Sequence, residues 1–153
     1  LVHNAGVLLK RGTGEYRRKE LQDLFLTNVI APLELSCALR GALGRGKPAH
    51  VVHIGSMGGF QDSAKFPGLA AYSSSKAALA CLAQCLAEEF KADDIRCNCL
   101  AIGAVDTAML REAFPGYTAP VSAVEIGRYV ADFVLRGHYL YNAKVLPVAM
   151  STP

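Results

Sequence analysis

The chain has 153 residues, the length of one domain, and its 16 Lys+Arg against 13 Asp+Glu give a formal net charge of +3. This near balance argues against a nucleic-acid partner or a membrane surface, and no uninterrupted apolar run approaches the roughly 18 residues that span a bilayer. Hydrophobic residues make up 52% and charged residues 19%, which excludes a disordered chain. The five Cys, an odd number, favour a reducing cytoplasmic location over a disulfide framework.

Apolar runs alternate with longer helical stretches. The chain opens at Leu1-Val2 as if inside a buried strand, so we expect it to be a piece of a longer chain. The predicted elements that follow are a helix at 18–40 with Pro32 inside it, a strand at 50–55, a helix at 70–91, a strand at 95–101, a short helix at 108–113, a helix at 121–135 and a strand at 144–148. This order predicts an α/β fold, a parallel sheet with helices on both faces.

Two irregular segments, 55–69 and 103–120, follow predicted strands at their carboxyl ends, where open α/β sheets build their sites. A third glycine-rich stretch, 41–46, follows a helix and precedes a strand. Phosphate-binding turns run from strand to helix, so we interpret 41–46 as an ordinary helix-ending loop.

A phenol and an ammonium group lie four residues apart at Tyr72 and Lys76, on one face of a predicted helix. The spacing alone is a weak signal, but its context strengthens it. The pair opens a helix after the strand that ends at Gly55-Ser56, and Asn28 lies on the preceding helix.

Together these residues resemble the short-chain dehydrogenase/reductase family along the whole chain. Five motifs match in order: the turn Asn4, Ala5, Gly6; the helix asparagine Asn28; the catalytic serine Ser56; the Tyr-x-x-x-Lys pair Tyr72 and Lys76; and Ile102-Gly103-Ala104-Val105-Asp106-Thr107 for Pro-Gly-x-Val-x-Thr. The resemblance implies a Rossmann-type, doubly wound parallel sheet that is partial, since the N-terminal strands are missing.

The resemblance also implies hydride transfer between NAD or NADP and a carbonyl or alcohol substrate. Tyr72 would donate the proton, and Lys76 would lower the pKa of Tyr72 and hold the cofactor ribose. Ser56 would bond the substrate oxygen, and Asn28 would carry a water that links Lys76 to solvent. The implied cofactor-binding residues are Asn4, Ala5, Gly6, Tyr72, Lys76, Gly103, Val105 and Thr107. In the family the two long helices pack on a second subunit, so a homodimer or homotetramer is expected.

Departures from the family pattern define an alternative. His3 stands where the family usually has Asn, Ile102 where it usually has Pro, and the segment from Ser56 to Tyr72 is longer than usual. The glycine-rich turn that holds the pyrophosphate is not among these residues. The alternative is therefore a non-enzymatic remnant that cannot hold dinucleotide on its own and that exposes an apolar sheet edge.

Each site residue also has a structural interpretation. Tyr72 and Lys76 are alternatively a surface pair, Ser56 a turn serine, Asn28 a helix amide that bonds a nearby carbonyl, and Thr107 the N-cap of the helix at 108–113. The segment 109–117 is either a substrate lid or an ordinary surface helix.

Two groups of potential metal ligands complete the inventory. Cys81 and Cys85 lie one helical turn apart and Cys97 and Cys99 share a strand face, yet buried cysteines usually act as small hydrophobes, so no metal site is predicted. The second group is His50 and His53. These two side chains are predicted to point to opposite faces of their strand, so they cannot chelate one metal ion together.

Overall fold

A parallel sheet with helices on both faces forms the centre of the molecule. The computed structural model describes residues 1–150, and within them the sheet has four strands in the order β1-β2-β3-β4, every neighbouring pair parallel. The strands are β1 Val2–His3, β2 Ala49–Ser56, β3 Ile95–Ile102 and β4 Val145–Val148. The predicted doubly wound α/β fold is confirmed. The ends of β2, β3 and β4 differ from the predicted ends by no more than one residue.

The helices occur where the apolar periodicity predicts them. They are α1 Arg18–Phe25, α2 Ala31–Arg45, α3 Ala70–Glu89, α4 Ala108–Ala113 and α5 Ala123–Arg136. A π-helical turn at Leu26–Ile30 joins α1 to α2, so residues 18–45 form one continuous helix with Pro32 in the first turn of α2. Because proline lacks an N–H group, it is tolerated at this first turn.

Three helix boundaries differ from the sequence prediction by two residues or more, one of them the start of α5 at Ala123 rather than residue 121. The continuous helix runs to Arg45 rather than to residue 40, so the glycine-rich stretch 41–46 is the last turn of α2 and its cap rather than a loop. Helix α3 ends at Glu89, and a 3-10 turn at Lys91–Asp93 leads into β3. Asp94 follows with a φ of 56°, the left-handed conformation that commonly ends a helix.

Each face of the sheet has its own apolar cluster. One face packs on α2 and α3 through fully buried side chains that include Val51, Leu86 and Phe90. The opposite face packs on α5 through Val52, Leu100 and Phe133. Because consecutive strand residues point to opposite faces, β2 contributes Val51 to one cluster and Val52 to the other.

Several apolar side chains remain exposed, among them those on the edge strand β1 and on the helix at 18–45. Val2, on the edge strand β1, is 39% exposed, in line with the expected apolar edge. The helix at 18–45 exposes Leu26, Ile30 and Leu35, and by length and composition alone it is long and apolar enough to cross a membrane. Charged residues interrupt the apolar sequence of this helix. An amphipathic helix that packs on a partner can have the same length and composition.

Candidate active site

A cleft of about 520 Å³ opens at the carboxyl ends of β2 and β3. Ser56, Tyr72 and Lys76 line it together; we call these three residues the polar end. The remaining predicted cofactor residues also line the cleft: Asn4, Ala5, Gly6, Gly103, Val105 and Thr107. The structure therefore brings together every predicted site residue except Asn28, which lies behind the cleft wall.

Helix α3 positions Tyr72 and Lys76. Both lie near its amino end, on the face turned toward the sheet, and Lys76 is only 5% exposed. The Lys76 ammonium donates a hydrogen bond to the Ile54 carbonyl oxygen at 3.0 Å and lies 5.9 Å from the centre of the Tyr72 ring. The two side chains are thus neighbours inside the cleft, and the interpretation as a surface pair does not fit this placement.

Burial is the main cause of the pKa shifts of Tyr72 and Lys76. It raises the pKa of Tyr72 above its usual value, and a hydrogen bond with the Ser56 side chain opposes that shift. Burial also lowers the pKa of Lys76, which the neighbouring Cys99 partly opposes. The prediction that Lys76 lowers the pKa of Tyr72 is therefore wrong for this structure, because loss of solvent outweighs the charge of an ammonium beyond hydrogen-bond distance.

Ser56 ends β2 and caps the 3-10 turn Met57–Gly59. Its hydroxyl oxygen accepts a hydrogen bond from the Gly58 amide at 3.1 Å. Because the same side chain also bonds Tyr72, Ser56 has the role of a turn serine and a place in the cleft at once.

The turn that follows Ser56 lies directly on the backbone of α3. A Cβ atom at Gly59 would lie 2.5 Å from the Ala77 amide nitrogen and 2.6 Å from the Lys76 carbonyl carbon. No side chain fits into that space, so glycine is required for this close approach. The contact fixes the 57–59 turn against the helix that carries Tyr72.

Asn28 is fully buried at the π-helical turn. Its amide oxygen accepts from the Val7 amide at 2.9 Å, and its amide nitrogen donates to the Val7 carbonyl at 3.0 Å and to the Ser75 hydroxyl at 3.0 Å. These bonds match the interpretation of Asn28 as an amide that bonds nearby carbonyls. They tie the segment after β1 to α3, next to Lys76.

Thr107 begins α4. Its hydroxyl oxygen accepts from the Leu110 amide at 3.2 Å, so the N-cap interpretation is confirmed. The preceding segment is held to the sheet by the Gly103 amide, which donates to the Val148 carbonyl at 2.9 Å. Helix α4 therefore leaves the cleft at a fixed point, with Thr107 still among the lining residues.

Two histidines pack against each other under the polar end. The His3 and His53 rings lie 4.8 Å apart, and His3 Nε2 lies 2.8 Å from the Ser36 hydroxyl. His53 Nδ1 bonds the Asn98 carbonyl at 3.4 Å, while its Nε2 has no partner, and burial lowers the pKa of His53 to about 3. The departure at His3 thus has a structural role.

The other candidate ligands are dispersed. His50 bonds the Val134 carbonyl on the face opposite His53, as predicted. Cys97 and Cys99 are buried, and burial raises the pKa of each thiol to about 12. Among residues 1–150, no group of three or more His, Cys, Asp or Glu side chains is placed to hold a metal ion.

A set of apolar side chains also lines the cleft, and the sequence analysis did not identify it. We define the apolar wall by six lining residues: Leu8, Met57, Phe66, Leu69, Leu110 and Phe114. Its members come from three segments far apart in sequence. The signal that was available is modest, since Phe66 and Phe114 are two of the four aromatic residues in the two irregular segments that follow β2 and β3.

A family model described as "short chain dehydrogenase" matches residues 1–118. The chain therefore belongs to the short-chain dehydrogenase/reductase family, as its motifs indicated.

Relatives and solved structures agree with this assignment. The chain is 35% identical over 126 residues to a 1-deoxy-11-beta-hydroxypentalenate dehydrogenase of Streptomyces exfoliatus, covering 80% of this chain and 43% of the relative. It is 33% identical over 112 residues to carbonyl reductase [NADPH] 2 of Sus scrofa, covering 72% and 45%. A 4-hydroxyisoleucine dehydrogenase mutant complexed with NADH and succinate has the same fold, with a TM-score of 0.84, 20% identity, and coverage of 97% and 65%. The chain spans about half the length of these curated relatives.

Proposed function

We propose that this chain forms the catalytic part of an oxidoreductase that transfers hydride between NAD or NADP and a carbonyl or alcohol substrate. One observation carries the proposal: Ser56, Tyr72 and Lys76 meet in one cleft with the turn at 4–6 and the segment 103–107. The named dehydrogenases and reductases among its relatives support the same chemistry.

The residues present fit the nicotinamide end of a dinucleotide. An ammonium group and three hydroxyls line a cleft that is otherwise largely apolar, and the backbone comes close to the ammonium, since a Cβ at Gly6 would lie 3.2 Å from Lys76 Nζ. Lys76 would hold the ribose, and Val105 and Thr107 the carboxamide. A bound reduced dinucleotide supplies the hydride.

Tyr72 supplies the proton. When the substrate carbonyl accepts hydride, negative charge develops on its oxygen, and the Tyr72 hydroxyl gives its proton to that oxygen. Ser56 lines the same cleft, and it would turn its one hydroxyl hydrogen to that oxygen and fix its position. The substrate thereby gains two electrons and two hydrogens, one of them the proton of Tyr72.

The raised pKa of Tyr72 favours reduction at neutral pH. A phenol that keeps its proton is ready to donate it, whereas alcohol oxidation needs a phenolate to accept one. Lys76 would return a proton to Tyr72 after each turnover. The Asn28 side chain bonds Val7 and Ser75, so we assign it to holding these two segments in place. Both hydrogens of its amide nitrogen are used, but its amide oxygen keeps one acceptor site, to which a water that links Lys76 to solvent would bond.

The exposed apolar face of the helix at 18–45 suits a second copy of this chain. Leu26, Ile30 and Leu33 lie exposed along it, and burying them against a copy would stabilise a dimer. A homodimer or homotetramer is therefore part of the proposal. So is a reducing cytoplasmic location, which suits the thiols of Cys97 and Cys99.

Titration with NADH and with NADPH tests the proposal. The chain contains no Trp, so nicotinamide fluorescence can be followed without tryptophan emission. We expect saturable binding that Lys76→Met weakens about tenfold or more, because it removes the ammonium from the cleft. Lys91→Met is the matched control, since Lys91 lies outside the cleft with a side chain 68% exposed. Absence of binding of both dinucleotides would favour the non-enzymatic remnant.

A further inference from the structure

The apolar wall contains no ionisable group. Among the described residues that line the cleft there is no Asp, Glu or Arg, and the one lysine is Lys76, whose ammonium donates to the Ile54 carbonyl at the polar end. A carboxylate or phosphate on the substrate that reached the apolar wall would therefore contact only apolar side chains. Burying a charge without a partner is strongly unfavourable.

One cation beside the wall links two of its segments. The Lys10 ammonium lies 4.5 Å above the centre of the Phe114 ring and donates a hydrogen bond to the Ala113 carbonyl, 103 residues away in sequence. This carbonyl belongs to the end of α4, where backbone oxygens lack helical partners. Lys10 thus acts as a tether between the segment after β1 and α4, and it is not among the residues that line the cleft.

Two rings form the edge of the wall. The Phe66 and Phe114 rings lie 5.7 Å apart with an interplanar angle of 78°, an edge-to-face arrangement. The segment that carries Phe66 is held by the Arg11 amide and the Tyr16 hydroxyl, which both donate to the Gly68 carbonyl, at 2.9 and 3.1 Å. The Phe66 ring is therefore presented by anchored backbone, and both rings line the cleft.

We propose that the substrate is an uncharged carbonyl or alcohol whose reacting carbon carries an aromatic or similarly bulky apolar group, which packs against Phe66 and Phe114. The proposal rests on the hydride-transfer function above and adds the substrate class. With the reacting oxygen at Ser56 and Tyr72, the substituent on the same carbon extends to the wall, because both groups line one cleft.

A matched pair of ligands tests the class. 1-Phenyl-1,2-propanedione and benzoylformate share the phenyl ring and the α-dicarbonyl, and they differ in a methyl group against a carboxylate. We expect chemical-shift titration, without cofactor and with NADH or NADPH, to show at least tenfold weaker binding of benzoylformate. Equal affinities, tighter binding of benzoylformate, or no binding of either compound would overturn the proposal.

Substitutions in the wall locate the effect. Phe66→Leu and Phe114→Leu keep an apolar side chain but remove the ring, and each should weaken binding of the dione about threefold to tenfold. Leu110→Arg places a cation on α4 and should raise the affinity for benzoylformate at least tenfold relative to the dione. Leu110→Gln is the matched uncharged variant and should leave the preference unchanged. A wall in which Leu110→Arg changes nothing does not contact the ligand, and the proposal fails.

The two proposals fail in different ways. If the dione binds preferentially but no reduction is observed with either dinucleotide, the hydride-transfer function is wrong and the ligand class stands. If benzoylformate is reduced with the higher kcat/KM, the hydride-transfer function stands and the ligand class is wrong.

Discussion

At the polar end of the cleft each functional side chain is held by hydrogen bonds, whereas the apolar wall is held by a ring pair and one lysine. Ser56 is fixed by Gly58, and Lys76 by the Ile54 carbonyl. The wall instead depends on Lys10 reaching across to α4. Under the two proposals, the side chains that carry the reaction and those that select the substrate are different residues of one cleft, so point substitutions can test the two sets separately.

The largest effect is expected from Tyr72→Phe, which removes the proton donor and keeps the ring. Turnover should fall about 10²- to 10⁴-fold, the usual contribution of a positioned acid, while dinucleotide affinity is retained. Steady-state kinetics and the fluorescence titration measure the two quantities.

Tyr139→Phe is the control, because Tyr139 is 76% exposed and lies outside the cleft. Unchanged turnover in Tyr72→Phe would show that Tyr72 is not the proton donor. The contrast between a reactive polar end and an apolar wall would then fail as well.

We expect acid to have an intermediate effect, a loss of stability caused by the buried histidines His53 and His3. The pKa of His53 is about 3 in the fold against an ordinary value of 6.5, so between these values the unfolded chain binds a proton that the folded chain does not. Stability is therefore lost as pH falls from 6.5, by an upper limit of about 1.4 kcal/mol per pH unit. Burial also lowers the pKa of His3, which adds to the same trend.

His53→Leu checks this effect in urea unfolding at pH 7.5 and pH 5. Leucine fills a similar volume and removes the unpartnered Nε2. We expect the free energy of unfolding of the variant to fall less between the two pH values than that of the wild type. Identical pH dependence in both proteins would contradict the assigned pKa.

The smallest effect is expected from Lys10→Met at the apolar wall. The variant keeps the length of the side chain but loses the contact with the Phe114 ring and the bond to the Ala113 carbonyl. We expect KM for an apolar substrate to rise about threefold with little change in kcat. Lys19→Met is the control, since Lys19 pairs with Asp23 on α1 with a side chain 79% exposed. A fall in kcat alone would place Lys10 at the polar end instead.

Much of the fold follows from local pattern. The alternation of strands and helices, and the placement of Tyr72 and Lys76 on one helix face, depend on periodicity that any reader of the sequence can see. The match of α4 to residues 108–113 follows from Thr107, a good N-cap.

Other features depend on contacts between distant segments. The π-helical turn that turns Asn28 toward Val7 has no signature in the apolar pattern. The direction of the Tyr72 pKa shift is set by how much water the surrounding segments exclude, which sequence spacing does not contain. The tether from Lys10 to α4 joins residues 103 positions apart, and an exposed lysine in a loop gives no hint of its partner.

The backbone contact at Gly59 has a consequence for redesign. Because this turn packs on α3 backbone to backbone, without intervening side chains, a shift of the segment that leads to Phe66 would also shift the helix that carries Tyr72. Enlarging the binding space from that side would displace the acid along with the wall. Room for a bulkier compound has to be made on α4 instead, where Met109 lines the cleft and is 40% exposed to solvent.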